Sequence, residues 1–123
     1  VMDDEEVIRG LLRRILTRAG YQVTLTADGS EAVAQYRQGL AANTAFDAVI
    51  LDLTVPGGMG GVETLRALRE IDPQVRAIVS SGYSTDAAMA DTEGQGFDGV
   101  IPKPYEAQSV IQVLRDVIRR RTP

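Results

Sequence analysis

Six residues carry the chemistry open to this chain. Asp3 and Asp4 stand side by side after the apolar pair Val1-Met2, and Asp52 closes the apolar run Ala48 to Leu51. Ser80 and Ser81 end a second run that begins at Val75, and Lys103 follows Gly99 to Ile101, held between Pro102 and Pro104. Brought together, three carboxylates repel and raise one another's pKa, and a divalent cation relieves that strain. Mg²⁺ or Mn²⁺ suits such a site, because hard cations take oxygen ligands and Mg²⁺ keeps several waters. Asp52 can then act as a nucleophile toward a phosphoryl group. Lys103 and the metal would offset charge on the phosphoryl oxygens, and Ser81 supplies a hydroxyl for the new phosphate. Phosphoryl transfer asks for little beyond such positioning and electrostatics.

Those residues converge only if the intervening elements bring them to one edge. Val7, Ile8, Leu11, Leu12, Ile15, Leu16 and Ala19 recur at helical spacing, with Gly20 as a stop. Tyr21 to Thr26 is a β-branched and aromatic run that predicts a strand. Ala27 to Gly29 predicts a turn, and Ser30 is a suitable N-cap for a second helix ending near Gly39. Leu40 to Ala45 connects it to Phe46 to Leu53, a continuous apolar run of the kind covered on both faces. After a glycine-rich loop, Val62, Leu65, Leu68 and Ile71 mark a third helix stopped by Asp72-Pro73. Val75 to Ser80 predicts a buried strand, 86 to 93 a weak helix, and Gly99 to Pro102 a short strand. Val110, Ile111, Val113, Leu114, Val117 and Ile118 predict a strong final helix. With Val1-Met2 as the stump of a first strand, strand and helix alternate five times. Such alternation implies a parallel α/β sheet with helices on both faces. In open sheets of this kind ligands bind at the carboxyl ends of the strands, where all six residues lie.

Composition excludes several alternatives. The chain has 123 residues, enough for one domain, with 44% hydrophobic residues and no His or Cys. That removes Ser–His–Asp catalysis, a phosphohistidine of the chain's own, disulfides, and histidine or thiolate metal sites. Absence of cysteine suits a reducing compartment, so the cytoplasm is the expected location. Net charge is −4, and no basic stripe predicts nucleic-acid binding by this domain. No apolar run approaches the ~20 residues of a membrane span.

Taken in order, Met-Asp-Asp-Glu at 2–5, Leu-Asp-Leu at 51–53, Pro56, Ser81-Gly82 and Lys103-Pro104 resemble the receiver domains of two-component response regulators. Each piece is weak alone; their order and spacing together are specific. The resemblance covers nearly the whole chain, read as a single receiver domain over 1–123 and as a piece of a longer protein trimmed at its first strand. It implies a flavodoxin-like (βα)5 doubly wound fold, a five-stranded parallel sheet in the order 2-1-3-4-5. It implies that Asp4, Asp52 and the Thr54 backbone carbonyl bind the metal directly, with Asp3 acting through a metal-bound water. Asp52 would accept a phosphoryl group from a phosphohistidine on a histidine kinase or histidine phosphotransfer domain. Ser81 rather than Ser80 fits the switch hydroxyl, because its distance to Lys103 matches and the small Gly82 follows. The readout would lie from about Asp86 onward. As an enzyme such a domain catalyses only its own phosphorylation and dephosphorylation. Whether the domain pairs with a second copy is left open.

The stretches 53–61 and 80–84 look most like receivers attached to hybrid sensor histidine kinases, whose parent proteins can be membrane-anchored. Three departures stand out. The glycine-rich loop is longer than usual and lacks the usual acidic residue. Val100 replaces an aromatic switch residue, and the 40–44 connection reads as a surface insertion. Two other functions remain conceivable on the residues. A phosphatase of haloacid dehalogenase type also forms a phosphoaspartate, but it needs a second acid where Thr54 stands. A receiver-like binding module that takes no phosphate would not need the complete acidic set. Read singly, Asp3-Asp4 would be a helix N-cap, Lys103 a solvated lysine and Ser81 a turn residue.

Overall fold

The computed structural model describes residues 1–53, 59–81, 96–103 and 105–120, without the side chains of Ser81 and Arg120. Its elements run α1 (Glu6–Arg18), α2 (Gly29–Ala41), β1 (Val49–Asp52), α3 (Gly61–Ile71), β2 (Ala77–Ser81), β3 (Gly99–Pro102) and α4 (Ala107–Arg120). The three strands form one parallel sheet in the order β1-β2-β3. Met2 makes isolated parallel bridges to Thr26 on one side and Leu51 on the other. Met2 thus stands where a first strand belongs, between the 21–26 run and β1. The predicted helix over 86–93 and the Thr54 carbonyl lie outside the described residues.

Side chains alternate across the sheet, and each face is covered. Leu51, Ala77 and Val79 pack with Tyr36, Leu65, Leu68, Val75 and Phe97 under α2 and α3. Ile50, Ile78 and Ile101 pack with Leu12, Leu16, Val110, Leu114 and Val117 under α1 and α4. Apolar strands buried on both sides account for the unbroken hydrophobic runs in the sequence.

The element ends follow local chemistry. Gly20 takes φ +95° after α1, the Gly20 amide donates to the Thr17 carbonyl, and the Tyr21 amide donates to the Leu16 carbonyl. That is a glycine-terminated helix, as its sequence predicts. The face of α1 that packs inward is narrower than its apolar pattern: Val7 is 81% exposed and Leu11 37%.

Four expectations are corrected. Tyr21 to Thr26 is not a strand: it bridges Met2 at Thr26, and its main-chain hydrogen bonds to Val1 and Asp3 fall at Thr24 and Thr26. The cap of α2 is Asp28, whose carboxylate accepts the Glu31 amide at 3.0 Å; Ser30 is already helical. α2 runs past Gly39 to Ala41, and a Cβ at Gly39 would meet the Phe46 ring at 3.2 Å, so this glycine permits close packing. At α1 the cap position belongs to Glu5, not to Asp3 or Asp4.

Candidate functional site

Met2 fixes the first aspartate pair. The Met2 amide donates to Ile50, the Asp52 amide donates to Met2, and the Asp3 amide donates to Thr26. Asp3 is thereby pinned beside the end of β1, where Asp52 sits. Asp3 and Asp52 are buried, while Asp4 is exposed. One carboxylate oxygen from each of Asp3, Asp4 and Asp52 lies within 4.8 Å of the others.

Lys103, one residue beyond β3, reaches into this cluster. Its Nζ lies 3.3 Å from Asp3 Oδ2 and 3.4 Å from Asp52 Oδ1. Burial pulls the lysine pKa down, but the charges of Asp52 and Asp3 outweigh it and set the value above the usual 10.5. Asp3 divides its two oxygens: Oδ1 accepts the Glu5 amide at 2.9 Å, whereas buried Oδ2 meets the ammonium without hydrogen-bond geometry. An all-oxygen donor set with one buried oxygen short of a hydrogen bond fits a hard divalent cation.

Ser81 ends β2 and is the Cα partner of Pro102; its side chain lies outside the described part. Val100 is half-buried in β3 beside Val79 and packs on the α2–α3 side of the sheet. Gly60 and Gly61 start α3 directly against β1, and a Cβ on Gly61 would come within 2.8 Å of the Asp52 carbonyl oxygen. No side chain larger than hydrogen fits there without moving the acid's own backbone. Among the described residues, the sheet therefore gathers Asp3, Asp4, Asp52 and Lys103, as the sequence predicts.

The family model for the response regulator receiver domain matches residues 1–115. The chain belongs to the receiver family. It is 31% identical to the chemotaxis protein CheY of Thermotoga maritima, over 95% of this chain and 93% of that one. It is 32% identical to the response regulator MprA of Mycobacterium sp. (strain KMS) over its full length, which spans 51% of that relative. A LuxR-family response regulator from Aurantimonas sp. superposes with a TM-score of 0.83 at 29% identity, covering 98% of this chain and 83% of the other. CheY in the CheX-CheY-BeF3-Mg²⁺ complex of Borrelia burgdorferi does so with a TM-score of 0.83 at 31% identity, covering 94% and 84%. The fold is the flavodoxin-like receiver fold, in which Met2 and Thr26 stand for the first two strands. Among the described residues, no helix of this receiver is long and apolar enough to cross a membrane.

The receiver site holds contacts that the sequence did not reveal. The Arg9 guanidinium donates to the Asp3 carbonyl at 2.7 Å, pinning the acidic turn from the first turn of α1. Its position on the helix was the only signal, and one arginine among several on α1 does not stand out. Ser80, passed over in favour of Ser81, is hydrogen-bonded to the Tyr105 hydroxyl. A hydroxyl pair across 25 residues leaves no mark in spacing.

Proposed function

We propose that this receiver takes a phosphoryl group onto Asp52 from a phosphohistidine of a histidine kinase or histidine phosphotransfer partner, and that the phosphoaspartate shifts a two-state equilibrium to regulate an output. The observation that carries this reading is the Lys103 ammonium between Asp3 and Asp52, 3.3 and 3.4 Å away, with Asp4 beside them. Asp52 closes β1 within this acidic cluster, and the receiver resemblance gives it the role of nucleophile. Lys103 meets the incoming phosphoryl oxygens and draws charge from them. Asp4, Asp52 and the Thr54 carbonyl would hold Mg²⁺ or Mn²⁺, with Asp3 acting through a water. When bound, that ion supplies the positive charge that lets an anionic donor approach three carboxylates. The Ser81 hydroxyl bonds the phosphate once formed, and Val100 fills the place of the switch aromatic. The 31%-identical CheY of Borrelia burgdorferi is known in a complex with CheX, BeF3 and Mg²⁺, which supports a divalent ion and an anion sharing this fold.

Asp52→Asn is expected to abolish uptake of a phosphoryl group from acetyl phosphate and Mg²⁺, read by intact-protein mass; unchanged uptake would sink the assignment. We further read the domain as cytoplasmic and as one part of a hybrid sensor histidine kinase, on the pattern at 53–61 and 80–84. The full-length gene product tests this: a kinase core upstream supports it, and a DNA-binding domain downstream overturns it.

A further inference from the structure

The position of Lys103 needs a physical cause. A lysine side chain is a flexible four-carbon stem, and holding it in one geometry costs rotamer entropy. Two carboxylates attract it, yet the backbone from which it reaches must also stay put. Lys103 has left β3, and the next helix begins only at Ala107. Tyr105, two residues on from Lys103, is held at two points. Its ring packs on the apolar cluster between α1, α4 and the sheet. Its hydroxyl is hydrogen-bonded to the Ser80 hydroxyl. Ser80 is 1% exposed in the middle strand and is the Cα partner of Asp52 on β1 and of Ile101 on β3. Side chains in register on neighbouring parallel strands share a face, so Ser80 and Asp52 point to the same side. The pair of hydroxyls therefore lies one strand from the acid and two residues from the lysine. Lys103, Asp3 and Asp52 all act electrostatically on the Tyr105 hydroxyl, as nearness requires.

We propose that Tyr105, tied to Ser80, is a positioning residue for Lys103: the hydroxyl pair anchors the chain two residues from the lysine, keeps its ammonium at Asp3 and Asp52, and so sets the rate of phosphoryl transfer to Asp52. This rests on the phosphoacceptor reading above. Tyr105 touches neither donor nor metal; it acts through the lysine.

The test measures initial rates of Asp52 phosphorylation from acetyl phosphate at saturating Mg²⁺, by intact-protein mass, in five variants and the parent. Tyr105→Phe keeps the ring and removes one hydroxyl; Ser80→Ala removes the other. Each is expected to slow the reaction about threefold to tenfold, the effect of one ordinary hydrogen bond. The double variant is expected to be no slower than the slower single variant, because one bond is lost once. In a Lys103→Gln background, followed over hours, Tyr105→Phe is expected to change nothing further. Mg²⁺ affinity by calorimetry should tighten in Tyr105→Phe, by no more than in Lys103→Gln, because the ammonium loosens from Asp3 and Asp52; weaker Mg²⁺ binding in Tyr105→Phe overturns the proposal. Parent-like rates in either single variant overturn the proposal, as does a Tyr105→Phe effect that persists without Lys103. A parent chain that takes no phosphoryl group at Asp52 instead overturns the underlying reading, so the two failures are distinct.

Discussion

Lys103 has two opposing effects on the acid cluster. It offsets the charge of Asp3 and Asp52, and it competes with any divalent cation for the same oxygens. At an effective dielectric near 20, unit charges about 4 Å apart interact by roughly 4 kcal/mol, so the competition is not small. Lys103→Gln is therefore expected to tighten Mg²⁺ binding about tenfold or more while slowing phosphorylation of Asp52. Calorimetric Mg²⁺ titration beside the rate assay checks both directions, and weaker Mg²⁺ binding in the variant would contradict the competition. The identities of Asp3, Asp4, Asp52 and Lys103 were legible because acids and a lysine at strand ends are conspicuous after apolar runs. Arg9 and Tyr105 were not, since each acts through a contact to a main-chain or hydroxyl oxygen far along the chain.

Elements were legible where periodicity was long and ends were marked. α3 and α4 follow their apolar stripes, and β3 spans the predicted Gly99 to Pro102. The misread boundaries share a cause: several residues there offer similar chemistry. Asp28 and Ser30 can both cap a helix, and the backbone settles it, because Asp28 is extended at φ −150° and accepts the Glu31 amide. Asp28→Ala is expected to cost about 1 kcal/mol in urea unfolding, whereas Ser30→Ala should cost little. Gly39 was read as a terminator, but it lies within α2, where a Cβ would meet the Thr44 carbonyl oxygen at 3.0 Å and the Phe46 ring at 3.2 Å. Gly61 marks a tighter constraint, with Cβ positions 2.8 Å from the Asp52 carbonyl oxygen and 3.2 Å from Leu53 Cα. Both neighbours are backbone and cannot swing away. Gly61→Ala is expected to destabilise the fold by about 1–3 kcal/mol and to slow phosphorylation, because relief must move the main chain of Asp52. A variant with parent stability and rate would show that α3 shifts freely.

Across the molecule, hydroxyl and ammonium groups with raised pKa bear on alkaline stability, buried Tyr36 and half-buried Lys103 among them. Burial, then the Asp72 carboxylate hydrogen-bonded at 2.7 Å, raises the Tyr36 pKa above its usual 10.0. Lys103 is likewise raised above 10.5. Both groups hold their protons more tightly folded than unfolded. The stability they contribute is complete below about pH 10 and is lost as pH rises through that range. Urea midpoints are expected to fall from pH 10 upward, and less steeply in Tyr36→Phe; a flat profile would contradict this. The parallel sheet was legible from alternation, and its three described strands adjoin in chain order. Beside β1, the Met2 bridges to Thr26 and Leu51 were not legible, because such pairings join residues far apart in the chain. That seam has a kinetic consequence. Met2 joins Thr26 and Leu51 across long stretches of chain, and distant closures cost entropy before they return contacts. Asp3 reaches Asp52 only when Met2 has docked. With Met2 undocked, Asp3 leaves Asp52, so a divalent cation held partly through Asp3 would act as a clasp on that seam. Adding Mg²⁺ should slow amide hydrogen exchange at Met2, Thr26 and Asp52 more than along β3.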